Sequence, residues 1–440
     1  MAQVQKSIDP KKQYNFPKNI EVINYDSKII VIAVDIGNWL ILENENQLTF
    51  FNLLKNNTLE KSLELFKGEY NDAVQTVIQI EAKRFENQTV TKTDKSNKAM
   101  IYLTDGCNMR CPHCFMYAGC KTENELTCDE IIEFLTAFKK NGGNTVTFSG
   151  GEVTTRNDFS NIINRTFQLG IKIDVFTNGT LWTDEMINEL SSKISEVQIS
   201  IDGYNEEENA RIRGKGNFEK ALSTVDKFVN AGVSTRIAVT PFFDEKLESK
   251  KENFIEFANS LLLKYKDKKF SIRFSGELLK GRDVNLDKAE NEKYKKIVEE
   301  IASKTIKIVG ESIFVESHKK FNIFDNCNFG NMYVSSTGDI YTCSRLSELK
   351  PCANIRKDGF DKVLSISKKA KFLTNVDNLE PCNKCHLKYI CGGGCRLVHF
   401  SNVPELGDFD SVKIAPRKCS KQEKEFFYDL MIKSNKDIFQ

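Results

Sequence analysis

Two periodicities divide the chain. Between residues 20 and 42 the apolar positions run in short blocks, 29–34 and then 39–42, on either side of the turn Asp35-Ile36-Gly37-Asn38. Blocks of that length around a turn predict a β-hairpin. The spacing then lengthens to three and four, with Leu48, Phe51 and Leu54 on one helix and Leu59, Leu63 and Phe66 on a second, behind Thr58 as N-cap. A third helix is expected over 73–85, and the polar stretch 86–98, which has no apolar period, reads as a linker. From 99 onward, strand-like runs at 99–103, 145–148, 172–176, 196–201, 234–239 and 270–274 alternate with helical periods at 130–140, 159–169, 184–190, 218–231 and 254–265. This alternation predicts an α/β unit of βαβ repeats with a mostly parallel sheet, whose ligands sit beyond the carboxyl ends of the strands. A last helix is expected over 291–309, after which the chain becomes turn-rich and loaded with cysteine, as a separate domain with an inorganic core would be.

Composition narrows the classes. The chain has 440 residues, room for roughly three domains at about 150 residues each. Hydrophobic residues make up 40% and charged residues 28%, a balance that excludes wholesale disorder and a membrane-embedded body. Lys+Arg number 63 and Asp+Glu 61, and the basic residues are scattered among the acids. Neither nucleic acid nor a membrane is therefore expected as a partner. The longest apolar run, 29–42, is broken by Asp35, Gly37 and Asn38 and falls short of the roughly 18 residues of a spanning helix. Met1-Ala2-Gln3-Val4 leads into a polar stretch, so a cytoplasmic location with reduced thiols is expected. The anomaly is 13 Cys against 4 His; in a reducing compartment, clustered thiols read as ligands before disulfides.

Just beyond the first strand of the sheet, Cys107, Cys111 and Cys114 form a C-x3-C-x2-C run. Three thiolates on one loop leave two readings open: a zinc with His113 as a fourth ligand, poorly placed beside Cys114, or an iron–sulfur cubane that keeps one iron for a cofactor. Ser149-Gly150-Gly151-Glu152 follows the next strand, with two glycines that allow close backbone approach and an acceptor in Glu152. Thr177-Asn178-Gly179 and Ser200-Ile201-Asp202-Gly203 close the two strands after that, and Arg213 lies in Arg211-Ile212-Arg213-Gly214. Singly, Asn178-Gly179 reads as a turn and Asp202 as a helix cap; in series at the ligand-binding edge they read as one site. In the tail, Cys327 and Cys343 flank Gly338, Cys352 follows, and then come Cys382-x2-Cys385-x5-Cys391-x3-Cys395 and Cys419. C-x2-C pairs by themselves favour zinc. Gly392-Gly393-Gly394 reads as a source of tight turns beside the thiols, not as a phosphate loop. Cys120 and Cys128 lie outside these spacings and read as packing thiols.

The cysteine run at the end of the first strand, with the Gly150, Asn178 and Ser200 segments in order behind it, resembles the radical S-adenosylmethionine superfamily. That resemblance implies a partial (β/α)6 barrel over 99–310 and a [4Fe-4S] cluster on Cys107, Cys111 and Cys114 whose open iron chelates the methionine amine and carboxylate of S-adenosylmethionine. It implies the His113 ring near adenine, Gly150, Gly151 and Glu152 around the amino group, Asn178 and Ser200 at the ribose with Asp202 in the same loop, and Arg213 at the carboxylate. The family often has proline two residues after this glutamate, where this chain has Thr154. Over 311–440 the tail resembles the SPASM auxiliary-cluster domain, which implies three [4Fe-4S] clusters in all. One auxiliary cluster would take Cys327, Cys343 and Cys395, the other Cys382, Cys385, Cys391 and Cys419. The first set is one ligand short, and Cys352 either completes it or stays away and leaves an iron open to a substrate thiolate. Residues 1–92 resemble the winged-helix peptide-recognition domain, which implies a leader peptide gripped at a strand edge, here the 29–34 region.

As a whole the chain resembles maturases of ribosomally made peptides. The implied chemistry begins with an electron from an external donor such as flavodoxin or ferredoxin. Reductive cleavage of S-adenosylmethionine then yields a deoxyadenosyl radical that abstracts hydrogen from a leader-bearing precursor peptide. A crosslink is expected, with a Cys thioether foremost. The alternatives are a carbon–carbon crosslink, epimerisation with Cys120 as hydrogen-atom donor, sulfatase-maturase-like oxidation of a protein Ser or Cys, and a non-enzymatic zinc peptide-binding protein.

Overall fold

The computed structural model describes residues 8–87, 98–305, 327–346, 349–399 and 419–439. Residues 1–4, most of the 86–98 linker, the end of the 291–309 helix and the start of the 311–440 unit lie outside the described residues.

The amino-terminal unit is a three-stranded antiparallel meander, β1 (Ile20–Tyr25), β2 (Lys28–Ala33) and β3 (Asn38–Leu42), followed by α1 (Glu45–Leu54), α2 (Leu59–Leu65) and α3 (Tyr70–Ala82). The predicted hairpin is β2–β3. Strand β1 joins it through Asp26 and Ser27, both at positive φ (47° and 57°), the backbone of a type I′ turn without its usual Asn-Gly. Asn44 and Thr58 cap α1 and α2 by accepting from Gln47 N–H and Lys61 N–H. The apolar run in β2 does not alternate because both faces are covered. Ile29, Val31 and Ala33 pack with Leu40 and Leu42 against Phe50, Phe51 and Ile80 of the unit's own helices. Ile30 and Ile32 pack with Trp39 and Ile41 against Leu387, Ile390, Tyr428 and Met431 of the cysteine-rich tail.

Residues 29–34, expected to offer the edge for a leader peptide, form the central strand, with both edges already paired. On the outer edge of β3, Ile41 N–H donates to Gln79 Oε1 (3.1 Å) and the Ile41 carbonyl accepts from Gln79 Nε2. Glu43 N–H donates to Gln47 Oε1 (2.9 Å) beside it. Because Ile41 points outward, pleat alternation across the registers Ile41↔Ile30 and Ile30↔Ile23 leaves Ile20, Val22 and Asn24 pointing outward from β1.

The second unit is a sheet of β4 (Lys98–Tyr102), β5 (Thr145–Ser149), β6 (Lys172–Thr177), β7 (Ile194–Ser200), β8 (Ser234–Val239) and β9 (Phe270–Phe274), six parallel strands in sequence order. Helices α4 (Cys128–Lys140), α5 (Phe159–Gln168), α6 (Asp184–Leu190), α7 (Glu206–Arg213), α8 (Phe218–Asn230), α9 (Lys251–Lys264) and α10 (Lys288–Lys304) follow the strands. This is the partial (β/α)6 barrel. Outward residues such as Ile101, Phe148, Val175, Val197 and Ile237 are buried under the helices. The alternate positions Thr147, Phe176, Gln198 and Ala238 are only half-buried, because they face the open interior. Helix α7 was not anticipated: its sequence EEENARIR has almost no apolar stripe, and it forms behind Asn205, whose side chain accepts from Glu208 N–H.

The tail does not start a new sheet. Strand β10 (Met332–Val334) pairs parallel to β4, and β11 (Asp339–Tyr341) and β12 (Ala353–Asn354) extend the barrel sheet antiparallel to a total of nine strands. Helix α11 (Phe360–Thr374) lies on α4, with Phe360 and Phe134 ring centroids 5.5 Å apart. The short α12 (Lys388–Cys391) and the long α13 (Lys421–Phe439) complete the described residues, among which no helix is long and apolar enough to cross a membrane.

One ion pair stitches this seam. Arg356 Nε and Nη2 meet Glu130 Oε1 and Oε2 at 2.6 and 2.9 Å, and its Nη1 donates to the Asn124 carbonyl. The Arg356 hydrogen bond holds the Glu130 carboxyl down at about 2. A depressed carboxylate contributes stability above its unfolded value and loses it as pH falls. The gap in urea midpoint between wild type and Glu130→Gln is therefore expected to be constant down to about pH 5 and to close below about pH 4.5. The pair is still about one-third exposed to solvent, so the gap should stay below about 1 kcal/mol.

Candidate functional site

The carboxyl ends of the barrel strands open onto a cavity of about 370 Å³ lined by Cys107, Cys111 and Cys114 together with His113, Gly150, Gly151, Asn178, Ser200 and Arg213. Three separate βα loops and one helix end thus converge. The cysteine loop leaves β4 and is pinned where Cys107 N–H donates to the Gly119 carbonyl (2.9 Å) and Gly119 N–H to the Asp105 carbonyl (2.9 Å). Gly150 and Gly151 let the β5 loop lie against the root of the cysteine loop. A Cβ on Gly150 would come within 2.5 Å of the Thr104 carbonyl oxygen, and one on Gly151 within 2.2 Å of that of Gly106. Gly150 also holds φ at 140°, a conformation open to glycine.

Glu152 lies behind the wall of this cavity, 1% exposed. Its Oε1 accepts from Thr154 Oγ1 and Thr177 Oγ1, and its Oε2 from Asn178 N–H, each at 2.6 Å. Thr154 N–H also donates to Glu152 Oε1, so proline at that position would lose two donors. The Asn178 side chain accepts from Thr180 N–H and donates to Asn108 Oδ1, tying the β6 loop to the cysteine loop. Asp202 is fully buried and caps no helix. Its Oδ1 accepts from Thr240 N–H (2.8 Å), and its Oδ2 receives Arg213 Nε (2.6 Å) with His113 Nε2 at 3.4 Å. Burial pushes the His113 imidazole below its ordinary value, with Asp202 opposing and Arg213 assisting.

Burial raises the Cys107 thiol to about 11 and the Cys111 thiol in the same direction, the latter opposed by Arg213. The donor set is three soft sulfurs, and the nearby imidazole is directed to Asp202, so no fourth ligand completes a tetrahedral zinc. A [4Fe-4S] cluster with one iron left for another molecule fits this set. Cys120 is exposed and does not line the cavity. Cys128 sits at the start of α4, where its sulfur accepts from Arg165 and Asn161 (both 3.4 Å).

The tail sorts its thiols into two groups. Cys327 and Cys343 pack about Phe329, Ala370 and Leu397, and each feels the charge of Cys395, although burial is the larger cause of their raised pKa values. Cys352 is elsewhere. It packs on the barrel core and donates to the Ile340 carbonyl at 3.2 Å. Cys382, Cys385, Cys391 and Cys419 line a second, larger cavity of about 1380 Å³. Beside them Gly392, Gly393 and Gly394 run through φ values of 67°, 83° and 72°. Arg396 binds the Gly392 and Gly394 carbonyls and His399 that of Gly393. Three left-handed residues in a row explain the triple glycine. Among the described residues no three His, Cys, Asp or Glu side chains converge tightly enough to hold a single metal ion.

Sequence reasoning missed the inward residues Gln198, Thr240 and Arg273, which line the first cavity beyond the cysteine loop. Gln198 stands two positions before Ser200 on β7, so the strand period alone could have placed it on the same face.

A model of the Radical SAM superfamily matches residues 101–258. The chain is 28% identical over 323 residues to the AdoMet-dependent heme synthase of Methanosarcina barkeri, covering 67% of this chain and 89% of that protein. It is 27% identical over 312 residues to the mycofactocin maturase MftC of Mycolicibacterium smegmatis, covering 68% and 77%. It is 24% identical over 303 residues to the antilisterial bacteriocin subtilosin biosynthesis protein AlbA of Bacillus subtilis, covering 66% and 65%. The crystal structure of Streptococcus suis SuiB bound to S-adenosylmethionine shares the fold, with a TM-score of 0.50 at 19% identity over 87% of this chain and 96% of that one. Six parallel βα units, a three-cysteine loop at the end of the first strand and the matched family segment agree: residues 101–258 form a Radical SAM domain, and the protein is a radical SAM enzyme.

Proposed function

We propose that this enzyme is a peptide maturase that installs an intramolecular crosslink in a ribosomally made precursor, joining a cysteine sulfur to a carbon. The observation that carries the reading is the group of Cys327, Cys343 and Cys395, from which Cys352 is turned away onto the Ile340 carbonyl. Three thiolates would leave one iron of an auxiliary cluster for an outside ligand, and a substrate thiolate is the soft donor that suits it. The likeness to MftC and AlbA supports a peptide substrate. The heme synthase likeness names another substrate, but the amino-terminal sheet with its outward β1 groups favours a peptide.

In this reading three [4Fe-4S] clusters are held, by Cys107/Cys111/Cys114, by Cys327/Cys343/Cys395 and by Cys382/Cys385/Cys391/Cys419. When bound, the first supplies the electron, received from a flavodoxin- or ferredoxin-type donor, that cleaves S-adenosylmethionine. Arg213, aligned by Asp202, holds the methionine carboxylate, and Ser200 and Asn178 face the ribose. His113, whose imidazole burial pushes below its ordinary value, would lie on the adenine side. Glu152 sets the β5 and β6 loops around the amino group. Gln198 and Arg273 meet the peptide on the inner face. A leader strand adds to β1, raising the local concentration of the core peptide. Cys120, exposed outside the cavity, takes no part in crosslinking.

The test is the mass of a cysteine-bearing precursor peptide after anaerobic incubation with enzyme, reductant and S-adenosylmethionine. Loss of two hydrogens, located by fragmentation to a cysteine sulfur and a carbon, is the expected outcome. Unchanged mass with deoxyadenosine released would sink the crosslink and favour epimerisation. Val22→Pro, which removes an outward N–H and leaves the β1–β2 ladder intact, should slow the reaction on leader-bearing peptide and not on the core peptide.

A further inference from the structure

The segment that follows β9 does more than connect it to α10. It folds back over the loop carrying Cys107, Cys111 and Cys114 and is bonded to it at four points. Arg282 Nη1 donates to the Cys111 carbonyl (3.1 Å), and its Nη2 to the Ala118 carbonyl. Asp283 N–H donates to the Pro112 carbonyl (2.8 Å), and Tyr117 Oη to the Gly281 carbonyl (3.1 Å). The approach is so close that a Cβ on Gly281 would lie 2.5 Å from the carbonyl carbon of His113. Each cation-to-carbonyl bond is worth more than a neutral one, and carbonyls in a loop without helix or strand have few other partners.

We propose that Arg282 is a positioning residue of the radical site: its guanidinium, next in the chain to the close approach of Gly281 to His113, fixes the loop of Cys107, Cys111 and Cys114 in the form that accepts S-adenosylmethionine. The guanidinium spans the loop from Cys111 to Ala118 and holds its two limbs at a set separation. Lysine keeps the charge and reaches one carbonyl, not both. Glutamine keeps donors without the charge. Arg282 does not line the cavity and bonds loop carbonyls, so it acts through the loop.

The experiment uses the full-length, cluster-loaded protein and three variants, Arg282→Ala, Arg282→Lys and Gly281→Ala. Hydrogen exchange over residues 107–119 is expected to rise roughly tenfold in Arg282→Ala, with exchange in the barrel strands unchanged. S-adenosylmethionine affinity should fall roughly tenfold, and the change this cofactor makes in the electron paramagnetic resonance spectrum of the reduced protein should shrink with it. Arg282→Lys should recover part of both. Gly281→Ala, with Arg282 intact, should reproduce the loop effect, which keeps the test open if Arg282→Ala folds poorly. Unchanged loop exchange and unchanged affinity in both Arg282→Ala and Gly281→Ala would overturn the proposal. So would a uniform rise in exchange across the barrel with an unaltered cofactor-induced spectral change, which marks a purely structural role.

Discussion

Arg213→Met is expected to weaken S-adenosylmethionine binding by about 100-fold and to destabilise the protein by about 3–5 kcal/mol. The two losses have separate causes. The guanidinium faces the cavity at 12% side-chain exposure and is proposed to meet the methionine carboxylate there. It is also the partner of Asp202, whose side chain is 0% exposed, through a 2.6 Å bond. Removing the arginine leaves a buried carboxylate whose remaining partners are Thr240 N–H and the His113 ring. Charge burial without a partner is what makes such a change costly. The double variant Arg213→Met/Asp202→Asn separates the effects: most of the stability should return, because an amide can sit in that pocket uncharged, while the affinity should not. Equilibrium unfolding and calorimetric titration measure the two. Full affinity in the double variant would remove Arg213 from the cofactor site.

Cys385→Ala/Cys391→Ala should have the other large effect, reaching far from the altered thiols. The protein should lose about four of about twelve irons, as one cluster's ligands go. It should also loosen the amino-terminal sheet. One face of that sheet, Ile30, Ile32, Trp39 and Ile41, packs on Leu387, Ile390, Tyr428 and Met431, and both cysteines pack at the border of this group. The tail side of the seam is α12 with the preceding Leu387, together with Tyr428 and Met431 of α13; α12, a helix of four residues, cannot hold its own shape in isolation. The turn at Gly37 approaches α12 closely, since a Cβ there would lie 3.0 Å from Tyr389 Cβ. Fully buried aliphatic side chains such as Ile32 are worth about 1.5–3 kcal/mol each, so a displaced α12 exposes several of them together. Faster exchange over residues 29–42 and at least tenfold slower modification of leader-bearing peptide are expected, with peptide-independent cofactor cleavage retained. Iron loss with an unaltered sheet would show the seam to be independent of the thiols.

The same seam shows what could be read early. The run at 29–34 has no polar alternation, and that is the mark of a strand covered on both faces. Its hairpin partner followed from the turn. What covers the second face did not follow, because Leu387 and Tyr428 lie hundreds of residues away. The supposed docking edge failed for a related reason: β1 reads weakly by itself, and its turn, Asp26-Ser27, lacks the glycine that would have signalled it. Helix α7 was hidden by its polarity, although its last residue, Arg213, was legible from the motif.

By itself the sequence determined the order of strands and helices in the barrel, the three-cysteine loop after its first strand and the residue types that gather at its rim. Those features depend on local period and short spacing, which a chain carries whatever its surroundings. Only the tertiary structure decided that Cys352 leaves the auxiliary thiols for the Ile340 carbonyl, that Glu152 turns behind the cavity wall, and that β2 has no free edge. It alone brought Arg282 across 171 positions to the Cys111 carbonyl. Each of these is a choice between partners far apart in sequence, settled by which buried donor or acceptor reaches which, and no local pattern encodes that distance.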